Sequence, residues 1–280
     1  MTDIELDNPH AGSVAIVLGA TTAVGKAVAQ QLVQAGATVA LVEIAGTSTG
    51  HTLEAVAREV ETAGHGPLTA EIAPRDTSGF AGFVRRVVER HGRLDVLVTV
   101  PVVQRPVVAD EMADGDWNSG IDRSLSAAYC AYRSVLPHFE ATGRGRIVSV
   151  VGDEGRRGAG GASHIAAGAW GVIGLAKSAA LEMAEADIAV NVVTSTAIDD
   201  DRWHDEAHQR YAVDAVGHEV DSLDVHAAAE ALGLRHPTNR PFVAPDAVAR
   251  AVLMFISQPD NTMTGSVLDL SQGMAALNTA

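Results

Sequence analysis

Short β-branched runs alternate with Ala-rich helical stretches along most of this 280-residue chain. The runs fall at Ser13 to Leu18, Thr38 to Val42, Leu68 to Ile72, Leu94 to Thr99, Arg146 to Val151, Ile188 to Val193 and Ser266 to Leu270. Helical patterns lie between them, at about Val24 to Ala35, Leu53 to Ala63, Phe80 to His91, Trp117 to Glu140, Ala162 to Ala184 and Asp246 to Ser257. Leu94 to Thr99 shows no polar alternation, as expected of a strand buried on both faces. Repeated strand–helix units imply right-handed crossovers and a parallel sheet covered on both sides. The expected fold is α/β: a single doubly wound Rossmann domain over residues 13–280, with a seven-stranded parallel sheet and helices on both faces. Residues 1–12 read as a flexible N-terminus. The stretch from Thr194 to Pro245 is too long for an ordinary connection, so it is expected to carry helices of its own and to lid a site.

The first strand runs into Gly19-Ala20-Thr21-Thr22-Ala23-Val24-Gly25 and then a helix. A glycine turn that opens a helix aims free backbone N–H groups and the positive dipole end at a pyrophosphate. Gly19, Thr21, Thr22, Val24 and Gly25 are therefore candidate cofactor contacts. Glu43 ends the second strand. A carboxylate there can accept from an adenosine ribose and repel a 2′-phosphate, which favours NAD over NADP.

The net charge is −15 and the pI about 5.0. A surface this acidic repels phosphate backbones and anionic lipid, so neither nucleic acid nor a membrane surface is an expected partner. Cys130 is the only cysteine, which rules out an internal disulfide and fits a reducing compartment. The N-terminal MTDIELDNPHAGS has no basic or apolar signal region. No uncharged apolar run reaches the roughly 18 residues of a membrane span. The expectation is a soluble, cytoplasmic protein.

The order of motifs resembles the short-chain dehydrogenase/reductase family from about Ser13 to Met274. The landmarks are the glycine turn, GRLDVLV at Gly92 to Val98, VLPHF at Val135 to Phe139, GRIVSV at Gly145 to Val150, IAVNVV at Ile188 to Val193 and MTGSVLDL at Met263 to Leu270. EIAGTSTGHTLEAVAREVETAGH after the second strand and RPFVAPDAVARAVLMF near the end look closest to the carveol-dehydrogenase-like, mycofactocin-associated branch. The resemblance implies a nicotinamide cofactor and an Asn–Ser–Tyr–Lys tetrad. In the family the tyrosine protonates or deprotonates the substrate oxygen. The lysine lowers the tyrosine pKa, the serine positions the carbonyl and the asparagine holds a relay water.

Each tetrad position carries a different residue here. The asparagine position is Ser124, the serine position Gly152, the tyrosine position Ile165 and the lysine position Ala169. Gly145-Arg146-Ile147, Gly155 and Gly171 hold the register. Tyr129 and Tyr132 lie on an earlier helix, and Tyr211 lies in the lid. The cofactor motifs are altered as well. Thr99-Val100-Pro101-Val102 stands where the family has NNAG. Ala23 replaces the middle glycine, Ala73 the adenine-contacting aspartate, Ser195-Thr196 the Pro-Gly after the sixth strand and Asp200 a carboxamide-holding threonine. NAD binding is accordingly expected to be weak or absent. A positioned general acid/base contributes about 10²–10⁴ in rate. Asp153 (with Glu154), His164 and Asp200 are the candidate substitutes, although His164 points about 100° away from Ile165 on a helix. Asp199, Asp201, Trp203 and His204 also open the lid. No tight His/Asp spacing suggests a metal.

Three readings follow. The leading one is a non-catalytic subunit supporting an active relative in a hetero-oligomeric dehydrogenase. The others are a redox-neutral enzyme (lyase, isomerase or cyclase) on a small organic or thioester substrate, and an NAD(H)-dependent oxidoreductase with a non-standard proton donor. A homo-oligomer or hetero-oligomer is expected through the two long helices. Their small-residue faces (Ala127, Ala128, Ala131; Ala166, Ala167, Gly168, Gly171, Gly174, Ala176) would allow close approach, and charges at Ala131 and Ala167 are expected to break the assembly while sparing the monomer. Trp117 and Trp170 read as packing or interface residues.

Overall fold

The computed structural model describes residues 9–47, 49–61, 66–102, 104–217, 220 and 222–277. In chain order the elements are β1 (Val14–Leu18), α1 (Ala23–Gln34), β2 (Thr38–Ile44), α2 (Leu53–Glu59), β3 (Thr69–Ile72), α3 (Thr77–His91) and β4 (Val96–Thr99). Then come α4 (Asp114–Ile121), α5 (Ala127–Thr142), β5 (Arg144–Gly152), α6 (Ser163–Glu182), β6 (Asp187–Ser195), α7 (Glu206–Asp214), α8 (Val225–Arg235), α9 (Pro245–Ile256) and β7 (Val267–Leu270). The strands form one parallel sheet in the order β3-β2-β1-β4-β5-β6-β7. The chain reverses its direction of growth at β1, where Leu18 pairs with Val42 on one side and Thr99 on the other. A doubly wound sheet opens a crevice at such a point, outside the strand C-termini.

Period-2 alternation divides the strand side chains between two cores. Val14, Ile16 and Leu18 of β1 join Phe80, Phe83, Tyr132, Phe139 and Ile173 under α3, α5 and α6. Ala15 and Val17 join Val28, Leu32, Val248, Val252 and Phe255 under α1 and α9.

Residues 1–8 of the N-terminus expected to be flexible lie outside the described residues. His10 departs from that expectation: it is buried, its N–H reaches Ala35 O at 3.0 Å and its Nε2 meets Ser257 Oγ at 3.0 Å. α6 is long and apolar enough, by length and composition, to cross a bilayer, with a mean hydropathy of 1.2 over 18 residues. The sequence test missed it because Lys177 interrupts the run. Half of that window is buried within the fold, as in a core helix.

The expected small-residue interface is corrected by the structure. Ala127, Ala128, Ala131, Ala166, Gly168 and Ala176 are all buried within the chain itself. Their smallness serves close packing of α4–α5 on α6. Between α4 and α5 the helix widens into a π-type turn, Asp122–Ser126. A Cβ on Gly120 would stand 2.6 Å from His164 Cδ2, and one on Gly171 would stand 2.6 Å from Leu125 Cδ2. Of the group's glycines only Gly174 faces open space, and Ala167 is half-buried. The outward residues of these helices are instead large: Trp117, Tyr129, Trp170 and Leu181.

The stretch from Thr194 to Pro245 has the helices expected of it. Ile198 bridges Val243, and a short 3₁₀ turn, Asp201–His204, leads into α7 and then α8. Trp203, Ala212, Ala228 and Leu232 form a small separate core, with Phe242 packed against it. Trp203 donates its indole N–H to Ile198 O at 2.7 Å. This unit stands over the sheet's C-terminal edge as a lid.

Candidate functional site

Two clefts meet at the β1–β4 crevice. One, the larger when its open mouth is counted (about 1200 Å³ of space), is lined by the ends of β4, β5 and β6, the start of α6 and the lid. The second, about 690 Å³, is lined by Thr21, Thr22, Ala23, Thr49, Gly50, His51 and the lid's Asp201. Thr22, Val102, Asp200 and Arg202 border both.

The turn between β1 and α1 keeps the close geometry that its glycines imply. Gly19 has φ +78°, and a Cβ there would overlap Val100 O; one on Gly25 would stand 3.0 Å from Ala20 Cα. Thr22 caps α1, its Oγ1 accepting the Gly25 N–H at 3.0 Å and donating to Gly19 O at 2.8 Å. The N–H groups of Ala23 and Val24 have no partner among the described residues and sit at the positive end of the helix. This end fits a pyrophosphate. The ribose end departs from expectation. Glu43 is buried, and its carboxylate accepts from Thr21 N at 2.9 Å, Thr21 Oγ1 at 2.5 Å, Ile44 N at 2.9 Å and Thr47 Oγ1 at 3.2 Å. Four donors pull it onto its own turn, away from both clefts, and they occupy the donors of Thr21.

All four tetrad positions converge on the larger cleft. Ser124, Gly152, Ile165 and Ala169 each line it. Ser124 lies in the π-type turn and donates to Gly120 O at 2.6 Å, away from any ligand. Ile165 and Ala169, one helical turn apart on α6, present only hydrocarbon.

The candidate substitutes divide. His164 is displaced from the cleft: it is buried against Gly120, its Nε2 lies 3.2 Å from Arg105 O, and burial holds its pKa below 6.5. Successive residues on α6 point apart, so His164 faces α4 while Ile165 faces the cleft. Asp153 and Asp200 do line the cleft, each bound to an arginine. Asp153 takes both Nε and Nη2 of Arg157, at 2.8 and 2.5 Å. Asp200 takes Arg202 at 2.7 and 2.6 Å and caps the 3₁₀ turn. Both carboxylates are charge-paired within the protein. His204 is exposed.

Glu154 has moved into the place of the missing serine. A Cβ on Gly152 would stand 3.2 Å from Glu154 Cδ and overlap Oε2. Burial first, and then the Asp153 carboxylate, push the Glu154 pKa up. Asp153 is itself paired with Arg157, so burial is the firmer cause.

The tyrosines offer no replacement. Tyr132 is buried under the sheet, its hydroxyl 2.8 Å from Ser149 Oγ, and burial pushes its pKa far up. Tyr129 is exposed on the outer face of α5. Tyr211 lines the cleft, with the Arg235 guanidinium 6.0 Å over its ring. Burial, then the Glu154 carboxylate, push its phenol up to about 12. That is the opposite direction from what a phenolic proton shuttle requires.

Sequence reasoning missed the carboxylate–histidine pair the lid does contain. Asp205 and His208, at i and i+3, open α7, with Nδ1 2.9 Å from Asp205 Oδ2. His208 lines the cleft. A readable signal existed: an aspartate at N-cap spacing before the histidine. Among the described residues no group of three His, Cys, Asp or Glu side chains is placed to hold a metal.

A family model described as short chain dehydrogenase matches residues 13–210. The chain belongs to the short-chain dehydrogenase family. It is 29% identical over 265 residues to a 3-oxoacyl-[acyl-carrier-protein] reductase of Thermotoga maritima, covering 94% of this chain and 98% of that protein. It is 25% identical over 262 residues to a subunit of the (2S)-[(R)-hydroxy(phenyl)methyl]succinyl-CoA dehydrogenase of Thauera aromatica, covering 93% of this chain and 95% of that one. A crystal structure of carveol dehydrogenase from Mycobacterium avium in complex with NAD superposes with a TM-score of 0.85 at 26% identity, covering 95% of this chain and 98% of that one. The seven-stranded fold and the carveol-dehydrogenase-like resemblance thus both hold.

Proposed function

We propose that this short-chain dehydrogenase-family chain binds a small organic molecule in its larger cleft and does not run tyrosine-dependent hydride transfer by itself. It serves as a subunit beside a relative that does. The observation that carries this is the floor of the cleft, where Ser124, Gly152, Ile165 and Ala169 converge with no proton donor for a ligand oxygen among them. NAD(H) binds weakly or not at all: Ala23 borders the phosphate turn, and Glu43 is folded away from the ribose side. Association is supported by the outward Trp117, Tyr129, Trp170 and Leu181 of α4, α5 and α6. Trp170 is 50% and Leu181 81% exposed. A family relative being a dehydrogenase subunit is consistent with such an assembly.

The test is NAD(P)H-dependent turnover of a panel of ketones, alcohols and acyl thioesters. The chain is assayed alone and after co-expression with tetrad-bearing relatives from its own genome. Turnover is expected only in the mixture. Robust turnover by the chain alone, insensitive to changes at His208 and Glu154, would refute the proposal.

A second reading is that the chain moves protons itself without a tyrosine. It is favoured by the acid–base groups that do face the cleft, Glu154 and His208.

A further inference from the structure

Two side chains that line the cleft each carry a buried polar atom without a hydrogen-bond partner among the described residues. The first is His208 Nε2, buried and without a hydrogen-bond partner among the described residues. The second is Thr196 Oγ1, just after β6, equally buried and unpartnered. Both residues line the larger cleft, together with Ile165 and Ala169.

His208 is held in one orientation. Asp205 caps α7 by accepting the His208 N–H at 3.3 Å, and the same Oδ2 meets Nδ1 at 2.9 Å. Asp205 Oδ1 lies 3.3 Å from the Arg105 guanidinium. Trp203 stands edge-on to the imidazole at 6.1 Å. With Nδ1 facing a carboxylate, the neutral ring carries its proton on Nδ1 and presents a lone pair at Nε2. A buried acceptor left unmet is costly, so a ligand hydroxyl reaching it gains that interaction without displacing a protein partner.

We propose that the Asp205–His208 pair is the acid–base group of this cleft, Nε2 taking a proton from the hydroxyl of a small organic ligand held beside Thr196. This rests on the second reading above. Two of the lining arginines are already paired, Arg157 with Asp153 and Arg202 with Asp200, while Arg235 lies over the Tyr211 ring. In the step, the ligand O–H bond breaks and the proton bonds to Nε2. The Nδ1 proton stays on the ring, and the Asp205 carboxylate offsets the imidazolium charge. The proton then returns to an atom of the same ligand, so no oxidant or reductant enters. Burial is the largest influence on the free imidazole and favours the neutral, proton-accepting form; Arg202 acts in the same direction, while Asp205 and Asp200 favour the charged form.

The experiment is imidazole ¹⁵N spectroscopy of the full-length protein, with the His208 signals assigned through His208→Gln. The expected result at pH 7 is a neutral His208 protonated on Nδ1, titrating below 6.5. Asp205→Ser keeps a helix-capping oxygen and removes the carboxylate, so the ring should drift toward a tautomer mixture while α7 persists by circular dichroism. Diethyl pyrocarbonate, a small electrophile that attacks neutral imidazole, should modify His208 alongside the exposed His204 and His226 in the wild type, and that one modification, located by peptide mass mapping, should be lost in His208→Gln. An Nε2–H tautomer, an imidazolium at pH 7, or no reaction of His208 short of unfolding would overturn the proposal. These readouts need neither partner nor turnover. If the chain is active only beside a relative, the second reading fails and the spectra stand. If the spectra fail, Glu154 remains as that reading's donor.

Discussion

Gly168 offers a direct measure of why α5 and α6 are built from small residues. A Cβ there would stand 3.2 Å from Ser124 Cβ and overlap Ser124 Oγ, which is itself tied to Gly120 O at 2.6 Å. Gly168→Ala gains about 1 kcal/mol from helix propensity. Against that, overpacking costs about 1–3 kcal/mol, and rotating Ser124 out of the way forfeits a hydrogen bond of about 0.5–1.5 kcal/mol. A net destabilisation of about 1–3 kcal/mol is expected. For a domain of this size each kcal/mol lowers Tm by roughly 2–4 °C. Gly174→Ala is the internal control: its Cβ meets nothing within 4 Å, so propensity alone should act and stability should rise by up to about 1 kcal/mol. Ser124→Gly removes both overlapped atoms and should recover most of the loss in the Gly168→Ala background. The assay is thermal and urea denaturation of each variant, with light scattering run in parallel. If Gly168→Ala melts with the wild type and instead changes the association state, Gly168 faces another chain and the packing argument fails.

Two further outcomes follow from the same structure. Ala131→Asp, placing a charge in the core under α5, should abolish or sharply lower stability, whereas Trp170→Glu with Leu181→Glu should leave the melt nearly unchanged and weaken association in light scattering; equal melts for Ala131→Asp and wild type would contradict the core assignment. The pKa values of His10, His91, His164, His208 and His236 are all lowered by burial, so as pH falls through about 6.5 the unfolded chain takes up protons first, and stability that is full above that pH is lost below it. Glu154, raised, acts with the opposite sign but alone, so the urea midpoint should stay near level from pH 8 to about 7 and fall from there to pH 5, and a level or rising midpoint below pH 7 would count against the buried histidines.

The sheet was legible because its signals are local. Each buried run carries its own β-branched pattern, and Gly145-Arg146-Ile147 with Gly155 fixes the register of everything up to Ala169. What escaped was direction. α6 is apolar nearly all round, so it has no polar stripe to tell an inward glycine from an outward one, and Gly168 and Gly174 look alike in sequence. Glu43 was correctly placed at the end of β2. Its four hydrogen bonds depend on Thr21 and Thr47 arriving from either side, which no pattern along one strand encodes. Asp205 and His208 lay in the one stretch without strand–helix landmarks. There, an ordinary helix cap and an acid–base pair have the same spelling.

The tetrad positions read differently once the neighbouring side chains are known. A Cβ at position 152 would meet the end of the Glu154 side chain, so a serine there would require that carboxylate to swing aside. The following turn is pinned from both sides. Arg157 grips Asp153, and Arg156 reaches Asp269 at 3.4 Å, whose carboxylate also accepts from Thr194 Oγ1 at 2.5 Å. Charges placed only by drift would leave desolvated ions without partners, each a burden of several kcal/mol. Here Asp153 and Asp200, which line the cleft, and Asp269 each meet an arginine. Restoring tyrosine and lysine at positions 165 and 169 would return the old side chains to a cleft whose serine corner is filled by Glu154 and whose lid presents an imidazole.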